Sequence, residues 1–127
     1  MRRAISSPDA PRPIGPYSQA IDTGTLVFCA GQVGLDPTTG RLVAGGAVAE
    51  TEQAIKNLSA VLATAGLGLG DVVKTTLFLV DLGDGPKVGE VCARRFPEPY
   101  PARSTIQVAA LPAGARVEIE AVAVRRS

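Results

Sequence analysis

The 127-residue chain reads as an α+β fold: a two-layer domain in which a mixed β-sheet carries two helices on one face. Three observations predict it. Two segments, 47–65 and 84–96, repeat apolar residues at helical spacing. The remaining ordered stretches are β-branched runs cut by Gly, Pro and Asp turns. The pieces follow one another as β-β-α-β-α-β-β, and nothing in composition breaks them apart, so residues 1–127 form a single domain.

Each element has a local reason. Pro8, Pro11, Pro13 and Pro16 favour an extended lead-in. A strand follows at 17–22, turns at Thr23-Gly24, and returns through 25–30, TLVFCA. Gly31, Gly34, Asp36-Pro37 and Thr39-Gly40 read as turns, with a short extended piece at Leu42-Val43. From Ala47 to Ala65 the period becomes helical: Val48, Ile55, Leu58, Leu62 and Ala65 face inward, while Glu50, Glu52, Gln53, Lys56 and Asn57 fall mostly elsewhere. An acidic first turn suits the helix dipole, and Gly66 supplies the stop. Residues 72–82, VVKTTLFLVDL, form a long and largely buried strand. Asp84-Gly85-Pro86 opens a second helix that runs to Phe96 with Val88, Val91, Cys92 and Phe96 inward. Gly89 inside it costs about 1 kcal/mol relative to alanine. PEPYPAR at 97–103 breaks the helix, and strands at 104–110 and 116–125 close the chain. Strands 72–82 and 117–124 are apolar on both sides, so the sheet face without helices predicts a subunit interface in a closed oligomer.

Composition narrows the chemistry. Apolar residues make up 46% and charged ones 20%, and 13 Lys+Arg stand against 12 Asp+Glu. So even a balance argues against a dedicated nucleic-acid or membrane surface. The chain has no histidine, which removes Ser-His-Asp and Cys-His nucleophile systems and His-ligated zinc. Cys29 and Cys92 stand far apart in apolar contexts and read as buried free thiols. After Met1-Arg2-Arg3 no apolar segment follows, and no run is long enough to span a bilayer, so the expected location is cytoplasmic.

Few residues remain that could do chemistry. Glu118 and Glu120 share a strand face with Val122 and Val124, which suits a partly desolvated carboxylate holding water; it equally suits a solvated strand end or pairing with arginines. Arg103 emerges from Pro97, Pro99 and Pro101 at a strand entrance, a setting for carboxylate capture as well as for a surface ion pair. Thr105 faces the same side as Arg103. Tyr17, between Gly15-Pro16 and Ser18-Gln19, is either a cleft phenol or a core-edge aromatic, and Gly31 lets backbone approach a ligand.

Taken together these segments resemble the Rid family of reactive intermediate (imine) deaminases, in its RidA subfamily. The resemblance lies in 14–20 (IGPYSQA), 30–37 (AGQVGLDP), 71–76 (DVVKTT), 101–104 (PARS) and 108–124, from VAALP to VEIEAVAV, and it covers nearly the whole chain in order. It implies a chorismate-mutase-like fold and a homotrimer with clefts between subunits. The implied activity is hydrolysis of 2-imino acids, such as 2-iminopropanoate or 2-iminobutanoate, to 2-keto acids and ammonia, without metal or cofactor. Carried over residue by residue, Arg103 binds the substrate carboxylate and Glu118 positions the attacking water. Tyr17 lines the cleft, and Gly31 and Thr105 offer backbone contacts. Ala30, Thr105 and Gly89 depart from the serine, cysteine and asparagine frequent there, which bears on substrate range and efficiency. The alternative is a non-catalytic, regulatory member that binds a small carboxylate in the same cleft. RNA cleavage, a third reading attached to relatives, sits poorly with the near-neutral charge and the absent histidine.

Overall fold

Alternation along one strand organises the molecule. In β6 (Val117–Val124) the side chains of Val117, Ile119, Ala121 and Ala123 are buried, and the intervening Glu118, Glu120, Val122 and Val124 point the other way. The computed structural model describes residues 1–126; Ser127, the last residue of the expected domain, lies outside the described residues. The other strands are β1 (Arg3–Ile5), β2 (Ala20–Asp22), β3 (Leu26–Val33), β4 (Val72–Leu79) and β5 (Ala102–Gln107). They form one sheet in the order β1-β2-β3-β6-β4-β5. All neighbours are antiparallel except β4 and β5, which run parallel because a helix carries the chain from one to the other.

Both helices pack on the face where Val117 and Ile119 point, so the α+β two-layer expectation holds. The core joins Leu58, Val61 and Leu62 of α1 (Gly46–Thr64) and Val88 and Val91 of α2 (Gly85–Arg95) to Val27, Leu77, Leu79 and Ile119 of the sheet. Among the described residues no helix is long and apolar enough to cross a membrane. The opposite sheet face carries Phe28, Val124 and Ile106, exposed at 46%, 37% and 44%.

Helix α2 follows expectation, with Pro86 in its first turn and Val88, Val91, Cys92 and the adjoining Phe96 buried. Helix α1 stops as expected at Gly66, whose φ is 78°, and its amide donates to the Ala63 carbonyl at 2.9 Å. Its start differs. The helix begins at Gly46 after a left-handed Gly45, so Glu50 and Glu52 fall past the first turn, which is not acidic. Val48 is exposed, whereas Glu50 and Asn57 are buried. The inward stripe passes through Ala47, Glu50, Thr51, Ala54 and Leu58, and each buried polar group finds a partner there. Glu50 Oε1 accepts from the Arg116 amide at 2.7 Å, and Asn57 Nδ2 donates to the Val33 and Leu35 carbonyls at 3.2 and 2.9 Å.

Strand limits also shift. The proline-rich lead-in hides β1, which pairs with β2 once the chain doubles back. β2 begins only at Ala20, because Gln19 before it is turned inward as a clamp. Its Oε1 accepts from the Ser7 amide at 2.6 Å, and its Nε2 donates to the carbonyls of Ser7, Ala10 and Pro11. β3 runs on through Gly31 to Val33 across a bulge. β4 ends at Leu79, before a 3₁₀ turn at Leu82–Asp84. β5 lies earlier than expected, at Ala102–Gln107, and residues 42–43 contribute only a single bridge from Leu42 to Leu35. Cys29 and Cys92 are free and buried, as expected.

Replacing Asn57 strands the Leu35 carbonyl just past β3, whereas the Val33 carbonyl keeps the Leu35 amide at 2.8 Å. Asn57→Ala is expected to lower unfolding stability by about 1–3 kcal/mol, read as a reduced urea midpoint; an unchanged midpoint would show that water satisfies the Leu35 carbonyl equally well.

Candidate active site

Parallel pairing of β4 and β5 decides where Arg103 points. Thr75 pairs with Arg103 and Leu77 with Thr105, so both predicted residues lie on the helix side, the side of buried Thr75 and Leu77. β5 is the edge of the sheet, and the Arg103 guanidinium lies over Gly89 of α2: a Cβ built there would sit 3.7 Å from Nη1. Among the described residues no carboxylate pairs with Arg103. Beside it opens a cavity of about 420 Å³ lined by Thr75, Cys92, Ala93, Phe96, Tyr100 and Pro101. Thr105 borders the more open groove on the other side of Arg103. Burial pushes the Cys92 thiol up, against the pull of the Arg103 charge. The Cys29 thiol is pushed to about 12, also by burial, so neither cysteine is primed as a nucleophile.

Glu118 points the opposite way. Its sequence neighbours Val117 and Ile119 are fully buried in the core, and its strand partner is Phe78, which alternates with the inward Leu77 and Leu79. It shares this outer face with Glu120, as the alternation predicts. The two carboxylates differ: Glu120 is exposed, whereas Glu118 is half-buried. Burial lifts the Glu118 carboxyl above its ordinary value, and the neighbouring Glu120 charge lifts it further. Among the described residues no arginine or lysine pairs with Glu118, so the ion-paired alternative does not describe it, and its half-buried carboxyl remains open to water. Gly31 makes room for it: a Cβ at residue 31 would fall 2.6 Å from the Glu118 Cδ.

Tyr17 is 53% exposed, and its hydroxyl accepts from the Ile14 amide at 3.3 Å. It stands two residues before Gln19, whose carbonyl accepts from the amide of Ala30, next to Gly31. The predicted residues therefore fall into two groups. Arg103 and Thr105 stand together on the helix side of the edge strand. Glu118 and Gly31 stand together on the open face, with Tyr17 reached through the Gly31 end of β3. No single copy of the chain brings Arg103 and Glu118 onto one surface. Sequence reasoning finds the residues but not this division, because alternation within a strand does not tell how two strands align. It also misses the cavity beside Arg103, whose Cys92 and Phe96 look like plain core. Among the described residues no group of three or more Cys, Asp and Glu side chains is placed to hold a metal ion.

The sequence profile of the family described as Endoribonuclease L-PSP matches residues 7–125. A mouse protein named 2-iminobutanoate/2-iminopropanoate deaminase is 50% identical over 98% of this chain and 93% of its own. The crystal structure of RidA from the Antarctic bacterium Psychrobacter sp. PAMC 21119 superposes with a TM-score of 0.94 at 44% identity, over 98% of this chain and 100% of that one. That of E. coli TdcF with bound serine gives a TM-score of 0.93 at 40% identity, over 98% and 99%.

The raised Glu118 carboxyl has a stability consequence with a definite sign. Folding favours its protonated form, so the carboxylate weakens the fold as pH rises above the ordinary value of 4.5. Glu118→Gln is expected to raise Tm near neutrality, with the gain vanishing below that pH. A gain that persists in acid, or a lower Tm at neutrality, would contradict a desolvated carboxylate.

Proposed function

The chain belongs to the Endoribonuclease L-PSP family and, within it, to the RidA subfamily of the Rid proteins, and from that premise we propose that it hydrolyses reactive 2-imino acids to 2-keto acids and ammonia. Relatives named 2-iminobutanoate/2-iminopropanoate deaminase, at 47–50% identity over nearly the whole chain, support the reaction. The observation that carries it to residues is an arginine with no carboxylate partner on one face of the sheet and a half-buried carboxylate with no cationic partner on the other.

Arg103 binds the substrate carboxylate by two parallel N–H···O bonds, a geometry that lysine does not offer. The substrate is an iminium, already electron-poor at C2. Water held by Glu118 attacks that carbon: the oxygen lone pair forms the C–O bond as the C=N π pair moves to nitrogen. Glu118 accepts the released proton and passes it to the nitrogen. Collapse of the carbinolamine forms C=O as the C–N bond breaks: ammonia leaves, and Glu118, again a carboxylate, takes the hydroxyl proton and releases it to water. Tyr17 closes the cleft wall, and backbone at Gly31 and Thr105 contacts the substrate. Bringing water and iminium together in the right orientation supplies most of the acceleration, so no histidine is needed.

Because Arg103 and Glu118 occupy opposite faces of one sheet, a working site takes one residue from each of two copies. A homotrimer packing its open sheet faces inward, with three clefts between subunits, fits the apolar Phe28, Val124 and Ile106 on that face. Each copy acts as one domain in it.

The test adds purified protein to a serine or threonine dehydratase and follows keto-acid release while semicarbazide competes for the imine. Acceleration at micromolar protein is expected. Arg103→Ala and Glu118→Gln should each abolish most of it, and activity should fall as pH drops through the raised Glu118 carboxyl. No acceleration overturns the deaminase reading, and saturable 2-ketobutanoate binding without turnover would replace it with a carboxylate-binding role. Co-assembling the two inactive variants in equal amounts should restore about one quarter of the wild-type rate, since one neighbour pairing in four then joins an intact arginine to an intact glutamate. No recovery in mixed oligomers would overturn the split site.

A further inference from the structure

We propose that Gly89 sets the substrate range: the space it leaves beside Arg103 admits 2-imino acids with bulky apolar side chains into the cavity between α2 and the 97–101 segment. The proposal rests on the deaminase reading above. It starts from a glycine that the fold does not require. Gly89 lies in the interior of α2 and is not among the positive-φ glycines, so its backbone suits any residue, and glycine there weakens the helix. A Cβ at this position would meet only Arg103 Nη1 and Nη2, at 3.7 and 3.9 Å, ordinary contact distances. The consequence of the missing side chain is open space directly against the guanidinium.

That space is continuous with two hollows. The cavity walled by Cys92, Phe96 and Tyr100 and the groove bordered by Thr105 share Gly89, Ala93 and Arg103. Among the described residues Arg103 is the one charged group lining the cavity, and the Tyr100 hydroxyl is turned back to the Ala93 carbonyl at 3.5 Å. A carboxylate bound on the guanidinium therefore finds charge only there, and the group next to it is offered an apolar wall. At about 420 Å³ the cavity falls within the range of small-molecule sites, about 300–1,000 Å³, and is ample for an isobutyl or benzyl group. The upward shift of the Cys92 thiol, caused by burial, agrees with a dry wall.

An L-amino-acid oxidase supplied with alanine, leucine or phenylalanine generates imines that differ only in side chain, and semicarbazide competition then reads kcat/KM for each. The wild-type protein is expected to hydrolyse the leucine and phenylalanine imines at least as efficiently as the alanine imine. Gly89→Leu narrows the space from the helix, and Ala93→Leu, at an exposed position, narrows it one turn on. Each should shift the ratio of large to small imine turnover by about tenfold or more toward the small one, with folding checked by circular dichroism. Turnover of the alanine imine alone by the wild type, or equal losses on all three imines in both folded variants, overturns the proposal and leaves the deaminase reading intact. No acceleration with any imine overturns that reading as well.

Discussion

A sheet covered by helices on one side only is the constraint from which the rest follows. Strand side chains must alternate, so β6 can give Val117, Ile119, Ala121 and Ala123 to the core only by turning Glu118, Glu120, Val122 and Val124 outward. One choice of register thus builds the apolar core, creates an outer face mixing carboxylates with valines, and aims Glu118 away from both helices. A slip by one residue would bury two glutamates among leucines, at a cost no local pairing could offset. Strand pairing then carries the assignment outward, from Ile119 to Leu77 and from Leu77 to Thr105, and so sends Arg103 to the helix side.

Close backbone approach refines this frame. A Cβ at Gly34 would lie 2.7 Å from the Cα and carbonyl oxygen of Glu50, so α1 lies directly on the chain just past β3, where a larger residue would hold it off. At that contact the Glu50 carboxylate takes the Arg116 amide, and Asn57 takes two carbonyls from the chain around Gly34. The start of β6 and the end of β3, the two segments that flank Glu118, are therefore fastened to the same helix. Across the sheet, Asp22, fully buried, accepts from Arg3, from Arg125 and from the Gly24 amide. The amide bond chiefly holds its carboxyl below the usual range, with both arginines adding to it. Stability from this cluster is present above the ordinary carboxylate value and is lost as acid protonates Asp22. The two polar anchors tie the sheet at both ends, leaving the strand centres to apolar packing.

Both helices, the two-layer class and the outward Glu118 are legible in the sequence because periodicity is a property of one segment at a time. The buried Glu50 is half legible: with Ala54 and Leu58 it stands in phase with the inward stripe, yet residue type argues against burial, and only the Arg116 amide, far along the chain, resolves the conflict. β1 is not legible, since three residues beside a proline-rich stretch become a strand only when β2 is there to pair. The division of Arg103 from Glu118 is likewise invisible, because it depends on the alignment of β4 with both β5 and β6, and no single segment encodes it.

That division has a chemical use under the proposed function. An arginine and a glutamate on one surface would pair, pulling the carboxyl down and occupying the guanidinium. Held on opposite faces, Arg103 keeps its hydrogen-bond donors for a ligand, and Glu118 stays unpaired with its carboxyl raised by burial. A carboxylate of raised pKa is a better proton acceptor from water than an ion-paired one, which suits a step whose electrophile is already activated. Assembly of two copies then brings the groups to one cleft with the substrate between them: its carboxylate engages the arginine, and its positive iminium carbon turns toward the glutamate. The substrate itself supplies the charges that complete both pairings, so the site reaches its balanced state only when occupied.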